Sequence, residues 1–187
     1  SNPIIKSVQS LSDKKFRKWA SRNSTKYSSK NGYKYAHFHV GFFYHEGKHT
    51  KQDISNAIQY YIKASNVNDM NAKNNLGIIY KNGFQDIIPP NIQLSIEYFK
   101  ESIRLDENSI SLYNLSHIYI YNLGNNESFN EAIKLLTSGI SKDEDFTPYY
   151  YLLVLALIRK YEFKIESIKQ FLNEKKSKLK LSLSRLI

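Results

Sequence analysis

Cysteine is absent from the 187 residues. That excludes disulfide frameworks, thiolate nucleophiles and cysteine-ligated zinc, and it suits a reducing compartment, so the expected location is the cytoplasm. Methionine occurs once, at Met70, and position 1 is serine. Ser1 therefore reads as the start of an expressed fragment or of a piece of a longer protein, and no signal-peptide pattern follows it. Long apolar runs are missing too: the longest, Tyr149 to Ile158, is about half of the roughly 18 residues that a membrane-spanning helix needs. There is no glycine-rich phosphate loop, nucleophile elbow or Cys/His zinc spacing, and no cofactor is expected. Acidic residues are scarce, 17 against 27 Lys and Arg, for a net charge of +10.

The excess positive charge lies at the two ends. Residues 1–34 hold nine Lys or Arg against one acid and residues 166–187 six against two, while residues 35–165 hold 12 against 14. A nearly neutral middle argues against a basic groove that tracks a nucleic acid along its length. A hydrophobic share of 41%, with 14% aromatic residues, is enough for a continuous core and excludes disorder throughout.

A repeat fills that middle. Ala36, Gly41, Tyr44 and Gly47 return 36 residues later as Ala72, Gly77, Tyr80 and Gly83. A third unit follows at Ser111, Leu115, Ser116 and Tyr119, and a weaker fourth at Pro148, Leu152, Leu153 and Ala156. Each unit carries a second signature, AIQYYIKA from Ala57, SIEYFKES from Ser95, AIKLLTSG from Ala132 and SIKQFLNE from Ser167, which spells an amphipathic helix with a narrow side. The period predicts stacked units of helix, loop and helix. Glycine inside a helix costs roughly 1 kcal/mol against alanine, so Gly41 and Gly77 must admit a close neighbour. Gly47 and Gly83 suit the left-handed cap that ends a helix. The spacing from Tyr44 to Ala57, Tyr80 to Ser95 and Tyr119 to Ala132 exceeds that of a tetratricopeptide unit, which predicts a longer loop inside each pair.

The pattern A-x-x-x-[LV]-G-x-x-Y-x-x-G, an extended loop, then [AS]-I-x-Y-[YF]-x-x-[AS] resembles the Sel1-like repeat, a branch of the tetratricopeptide superfamily. The resemblance is close in the first two units, looser in the third, where Ser116 replaces glycine, and one of outline in the fourth. It implies an all-α fold, a right-handed αα superhelix or solenoid of about four helix pairs, over 35–70, 71–109, 110–146 and 147–175. It also implies an adaptor or scaffold that binds a protein or peptide partner and has no catalysis of its own. The string NNLGIIYKNG is similar to repeat arrays that follow kinase domains in large protist proteins, which would place a kinase domain in cis; this chain has no kinase motif. Outside the repeats, residues 1–34 form a basic segment in which Ser10 to Arg22, with Leu11, Phe16, Trp19 and Ala20 on one side, reads as a capping helix. Residues 176–187 read as a basic tail or cap.

One string has catalytic spelling, His45-Glu46-Gly47-Lys48-His49, a formal H-E-x-x-H. A zincin needs both histidines on one unbroken helix. The repeat register puts Gly47 at a helix end, so the string reads as a helix terminus, and neither enzyme activity nor a metal is expected. The recurring aromatics Tyr44, Tyr61, Tyr80, Phe99 and Tyr119 read as core rather than as base-stacking platforms.

By analogy with tetratricopeptide proteins, the first helix of each pair lines a concave face. Counted from the glycine position, that face receives Phe38, Phe42 and His45, then Asn71, Asn74, Ile78 and Lys81, then Tyr113, His117, Ile120 and Tyr121, and finally Tyr150. These residues do not recur in type, as a partner-specific surface requires, and amides beside aromatics suit an extended peptide. The alternative is a module that binds RNA or another anionic surface through the basic ends; binding to nucleic acid along the repeats is not expected.

Overall fold

The computed structural model describes residues 14–16, 18–20, 36–48, 50–105, 109–143 and 147–183. The chain divides into two compact units, Ser1–Ser111 and Leu112–Ile187. The first contains α1 (Ala36–Glu46), α2 (Ile54–Ser65), α3 (Met70–Asn82) and α4 (Ile92–Leu105). The second holds most of α5 (Ser109–Ile118), a π-helical turn (Tyr119–Leu123), α6 (Asn126–Lys142) and α7 (Thr147–Leu183). The fold class is all-α, of the solenoid type.

In the first unit α1 packs on α2, α2 on α3 and α3 on α4. The first two pairs are built alike. An added Cβ at Gly41 would come within 2.8 Å of the Tyr61 ring, and at Gly77 within 2.7 Å of the Phe99 ring. Only a residue without a side chain lets those buried rings, at matching places on α2 and α4, lie against the first helix. Beside them Tyr44 stacks on Tyr60 and Tyr80 on Tyr98, each at 5.8 Å between centroids. Both first helices stop at a left-handed glycine, Gly47 at φ +68° and Gly83 at φ +69°. The second helices start where an Asx side chain takes up a free backbone N–H: Asn56 N donates to Asp53 Oδ1 and Leu94 N to Asn91 Oδ1, each at 3.0 Å. The backbone N–H of each capping residue returns to the first helix, Asp53 to Tyr44 O at 2.9 Å and Asn91 to Tyr80 O at 2.7 Å. The seven-residue and nine-residue loops between these helices are thus clamped at both ends.

One buried charge crosses the unit. The Lys73 ammonium of α3 donates to Ser65 Oγ of α2 at 3.1 Å and pairs with the Glu101 carboxylate of α4. Lys14–Phe16 and Lys18–Ala20 are helical, and Phe16 is buried against Phe43 and Tyr44 at 5.8 and 5.3 Å. The expected helix from Ser10 to Arg22 is helical in that part; Ser10 and Leu11, like most of the basic segment, lie outside the described residues.

The second unit departs from the expected plan twice. In the third pair the chain stays helical through the π turn and α6 begins after two residues, so the long loop expected there is absent. Asn122 occupies the place of Gly47 and Gly83 but stays within the π turn; the left-handed conformation falls on Gly124, at φ +58°. Ser116, in the glycine position, is buried, and its hydroxyl donates to Leu112 O at 2.8 Å. The second departure is the fourth pair, expected over 147–175 with a separate cap after it. One helix, α7, runs from Thr147 to Leu183 instead. From Tyr149 to Ile187 there is neither Gly nor Pro, so nothing in the sequence stops the helix. Gly139 of α6 receives the Tyr149 ring, with 2.5 Å left for an added Cβ.

Candidate functional site

The first unit presents a half-buried strip on α1. Phe38, Phe42 and His45 lie one turn apart there, with Phe38 and Phe42 at 6.3 Å and roughly parallel. The Lys48 ammonium sits 5.1 Å above the Phe42 ring. The matching strip of α3 carries exposed Asn71 and half-buried Asn75, Ile78 and Lys81. Beneath the two strips lies Tyr61 of α2, fully buried as a residue. Its hydroxyl accepts from Asn75 Nδ2 at 3.0 Å and lies 3.3 Å from His45 Nδ1. One phenol therefore joins the two first helices. Asn75 donates to this hydroxyl, and the contact with Nδ1 holds the His45 ring in place.

The electrostatics agree with a neutral His45. Burial lowers its pKa, with Glu46 opposing. Burial likewise lowers His37, where Lys63 adds repulsion, and His39. Tyr61 is pushed well up, mainly by burial, so its proton stays in place at any ordinary pH. Lys81 is lowered by burial.

In the second unit Tyr113, His117 and Tyr121 form a ladder one turn apart, with His117 stacked on Tyr121 at 4.4 Å. Tyr121 is exposed, contacts Tyr151 and has the Arg159 guanidinium 5.9 Å from its ring. Tyr150 is exposed on α7.

Ten of the 12 residues named from sequence reach the surface at least in part, and two do not. Asn74 is buried, with its Oδ1 3.1 Å from the Ser111 hydroxyl, so it holds the fold together. Ile120 is buried at 1% exposure. The π turn inserts a residue into the helical ladder there, and positions after Ile118 rotate relative to their counterparts on α1 and α3. Asn75 and Lys48 were not named from sequence. Asn75 is four residues after Asn71 and three before Ile78, which is the signal that would have found it.

The H-E-x-x-H string is not carried on one helix. α1 ends at Glu46, Gly47 is left-handed, and His49 lies outside the described residues. Among the described residues no three His, Cys, Asp or Glu side chains are grouped as a metal site would require. Nor is any described helix long and apolar enough to cross a membrane.

Paired helices that repeat a glycine–ring contact, a left-handed stop and an Asx start define a helical-repeat protein whose first helices carry the variable residues. The Sel1 repeat model matches residues 34–69, 71–107 and 109–143, more than half of the chain, and the chain belongs to the Sel1 repeat family. The fold is similar to the crystal structure of a Sel1 repeat protein from Oxalobacter formigenes, at 16% identity and a TM-score of 0.52. That likeness covers 67% of this chain and 52% of the other, so the chain spans about half the length of that solved protein. A search of curated proteins finds no match. Sel1 repeats are generally protein-interaction modules, and Sel1 repeat proteins are typically non-catalytic scaffolds.

Proposed function

We propose that this chain is a non-catalytic scaffold whose first unit holds an extended segment of a protein partner across α1 and α3. The observation that carries this reading is the Asn75–Tyr61–His45 connection beneath the Phe38–Phe42 pair. It fixes polar and apolar groups on two helices from below, so the surface is set before a partner arrives. Phe38, Phe42 and Ile78 offer contact to an apolar side chain. The His45 imidazole, Asn71 and the Lys81 ammonium supply polar contacts for a peptide backbone and a carboxylate. The matching partner is an extended peptide with a large apolar residue and an acidic residue near it. The non-recurrence of these side chains along otherwise recurring helices supports the same reading.

Selection of peptides from a display library against the whole chain, followed by calorimetry, tests this. The selected peptides should be enriched in aromatic or aliphatic residues near Asp or Glu. Phe42→Ala and Lys81→Ala, with helicity checked by circular dichroism, should each weaken binding about tenfold, the effect of losing an anchor worth roughly 1–2 kcal/mol. Peptides that bind both variants as tightly as the parent chain would refute the assignment.

A further inference from the structure

The helix α7 carries two apolar stripes. Tyr149, Leu152 and Ala156 are buried within the second unit. Two residues further on, about 200° around the helix, Tyr151, Val154, Ile158, Tyr161 and Ile165 point away from that stripe, each between 49% and 67% exposed. Their spacing alternates three and four residues, the 3.5-residue period of a coiled-coil seam, and exposed Tyr150 and Leu157 widen it along one flank. The sequence continues the same spacing at Ile168 and Leu172. α6, with 17 residues, spans roughly 25 Å and α7, with 37, roughly 55 Å, so α6 cannot cover the length of α7.

We propose that a second copy of this chain covers the stripe, α7 against α7, in an antiparallel two-fold dimer. A seam with strict heptad spacing fits another helix with the same spacing, and a two-fold interface requires one patch that matches itself. The area suffices: the exposed parts of these five side chains with Tyr150 and Leu157 amount to roughly 600–700 Å² per copy, beyond the patch sizes of ordinary monomers and near the 800 Å² per partner of stable complexes.

Side-chain size and charge select the arrangement. With the two-fold axis between Ile158 and Tyr161, each Tyr161 meets the other copy's Ile158 and each Val154 meets Ile165, so larger side chains face smaller ones. The flanks then place Leu155 near Glu162 and Leu157 near Lys164, where aliphatic stems cover the leucines and the charged heads reach water. A shift by one heptad towards the C-terminus places Glu162 on Glu162 and Lys164 on Lys164 at the axis, where like charges disfavour it, and the opposite shift sets each Tyr151 against the other copy's Tyr161, large on large. A parallel dimer sets tyrosine on tyrosine at two layers of the seam. This surface is separate from the face on α1 and α3, and neither proposal depends on the other.

Sedimentation equilibrium of the full chain from 1 to about 100 µM should give the mass of two 21.9 kDa chains at the upper concentrations. Ile158→Glu should raise the dissociation constant at least 100-fold with unchanged helicity, since the site is half exposed in the monomer. Because cysteine is absent, single introduced cysteines report the arrangement directly. Ile158→Cys mixed with Tyr161→Cys should cross-link on oxidation, and Ile158→Cys alone should not. A chain that stays monomeric throughout, a dimer that Ile158→Glu leaves intact, or efficient cross-linking of Ile158→Cys with itself would each overturn the proposal. In the first case the stripe belongs to the helix of a different protein.

Discussion

The close approach of a ring to a helix glycine is the defining contact of the first two pairs, and Gly77→Ala tests it. Taken alone, the substitution should stabilise α3 by about 1 kcal/mol, because alanine is the better helix former. Against that stands the Phe99 ring: an added methyl group would lie 2.7, 2.8 and 2.9 Å from three of its carbons. Phe99 is wholly buried, so the ring cannot swing into solvent, and overpacking of this kind costs about 1–3 kcal/mol. With the overlap at the upper part of that range, as contacts to three ring carbons imply, the net loss should be about 1–2 kcal/mol of a possible 0–2, read as a lower urea midpoint and a fall of roughly 2–8 °C in Tm. Phe99→Leu in the same chain separates this cause from any other. The smaller side chain makes room for the methyl group, so the double variant should be more stable than the sum of the single effects by about 1 kcal/mol. A Gly77→Ala chain that is more stable than the parent, or two effects that simply add, would refute the reasoning.

Two further predictions concern buried charge. Glu101→Ala removes the partner of an ammonium that is 6% exposed and should cost about 1–3 kcal/mol, whereas Lys73→Met, which removes the cation and keeps the stem, should cost less; chemical denaturation that finds the reverse order would contradict the reading. Stability should also fall in mild acid. His37, His39 and His45 lie below the ordinary 6.5 in the folded chain, so the unfolded chain takes up protons first. The stability is fully present above about pH 7.5 and declines as pH falls through 6.5 towards the lower folded-state values. Urea midpoints at pH 7.5 and 5.5 check this, and a higher midpoint at 5.5 would contradict it.

The period was legible because each recurring residue has a local mechanical task. Gly41 and Gly77 admit a ring, Gly47 and Gly83 turn the chain, and both tasks depend on chain neighbours or on a ring of the second helix of the same pair. Features that depend on one distant side chain were not legible. Asn74 looks like a surface amide until Ser111, 37 residues later, places its hydroxyl beside it. Ile120 has the expected spacing from Ser116, but the π turn rotates it into the core. The signature from Ser167 matches a second helix, yet a helix pair also needs a stop, and the chain has neither Gly nor Pro there to provide one. The sequence pattern placed the candidate face on the first helices of the pairs, while Tyr61 beneath it was read only as core. Its ring is core, and its hydroxyl, one atom further out, reaches His45 and Asn75.

Two-dimensional NMR of the labelled chain, titrated with a peptide selected from the display library, examines the proposed face most directly. Binding across α1 and α3 predicts shifts centred on Phe38, Phe42, His45, Asn75, Ile78 and Lys81, with exposed positions of α2 and α4 such as Gln59 and Lys100 unchanged. Shifts centred on Gln59 and Lys100, with Phe42 and His45 undisturbed, would contradict it.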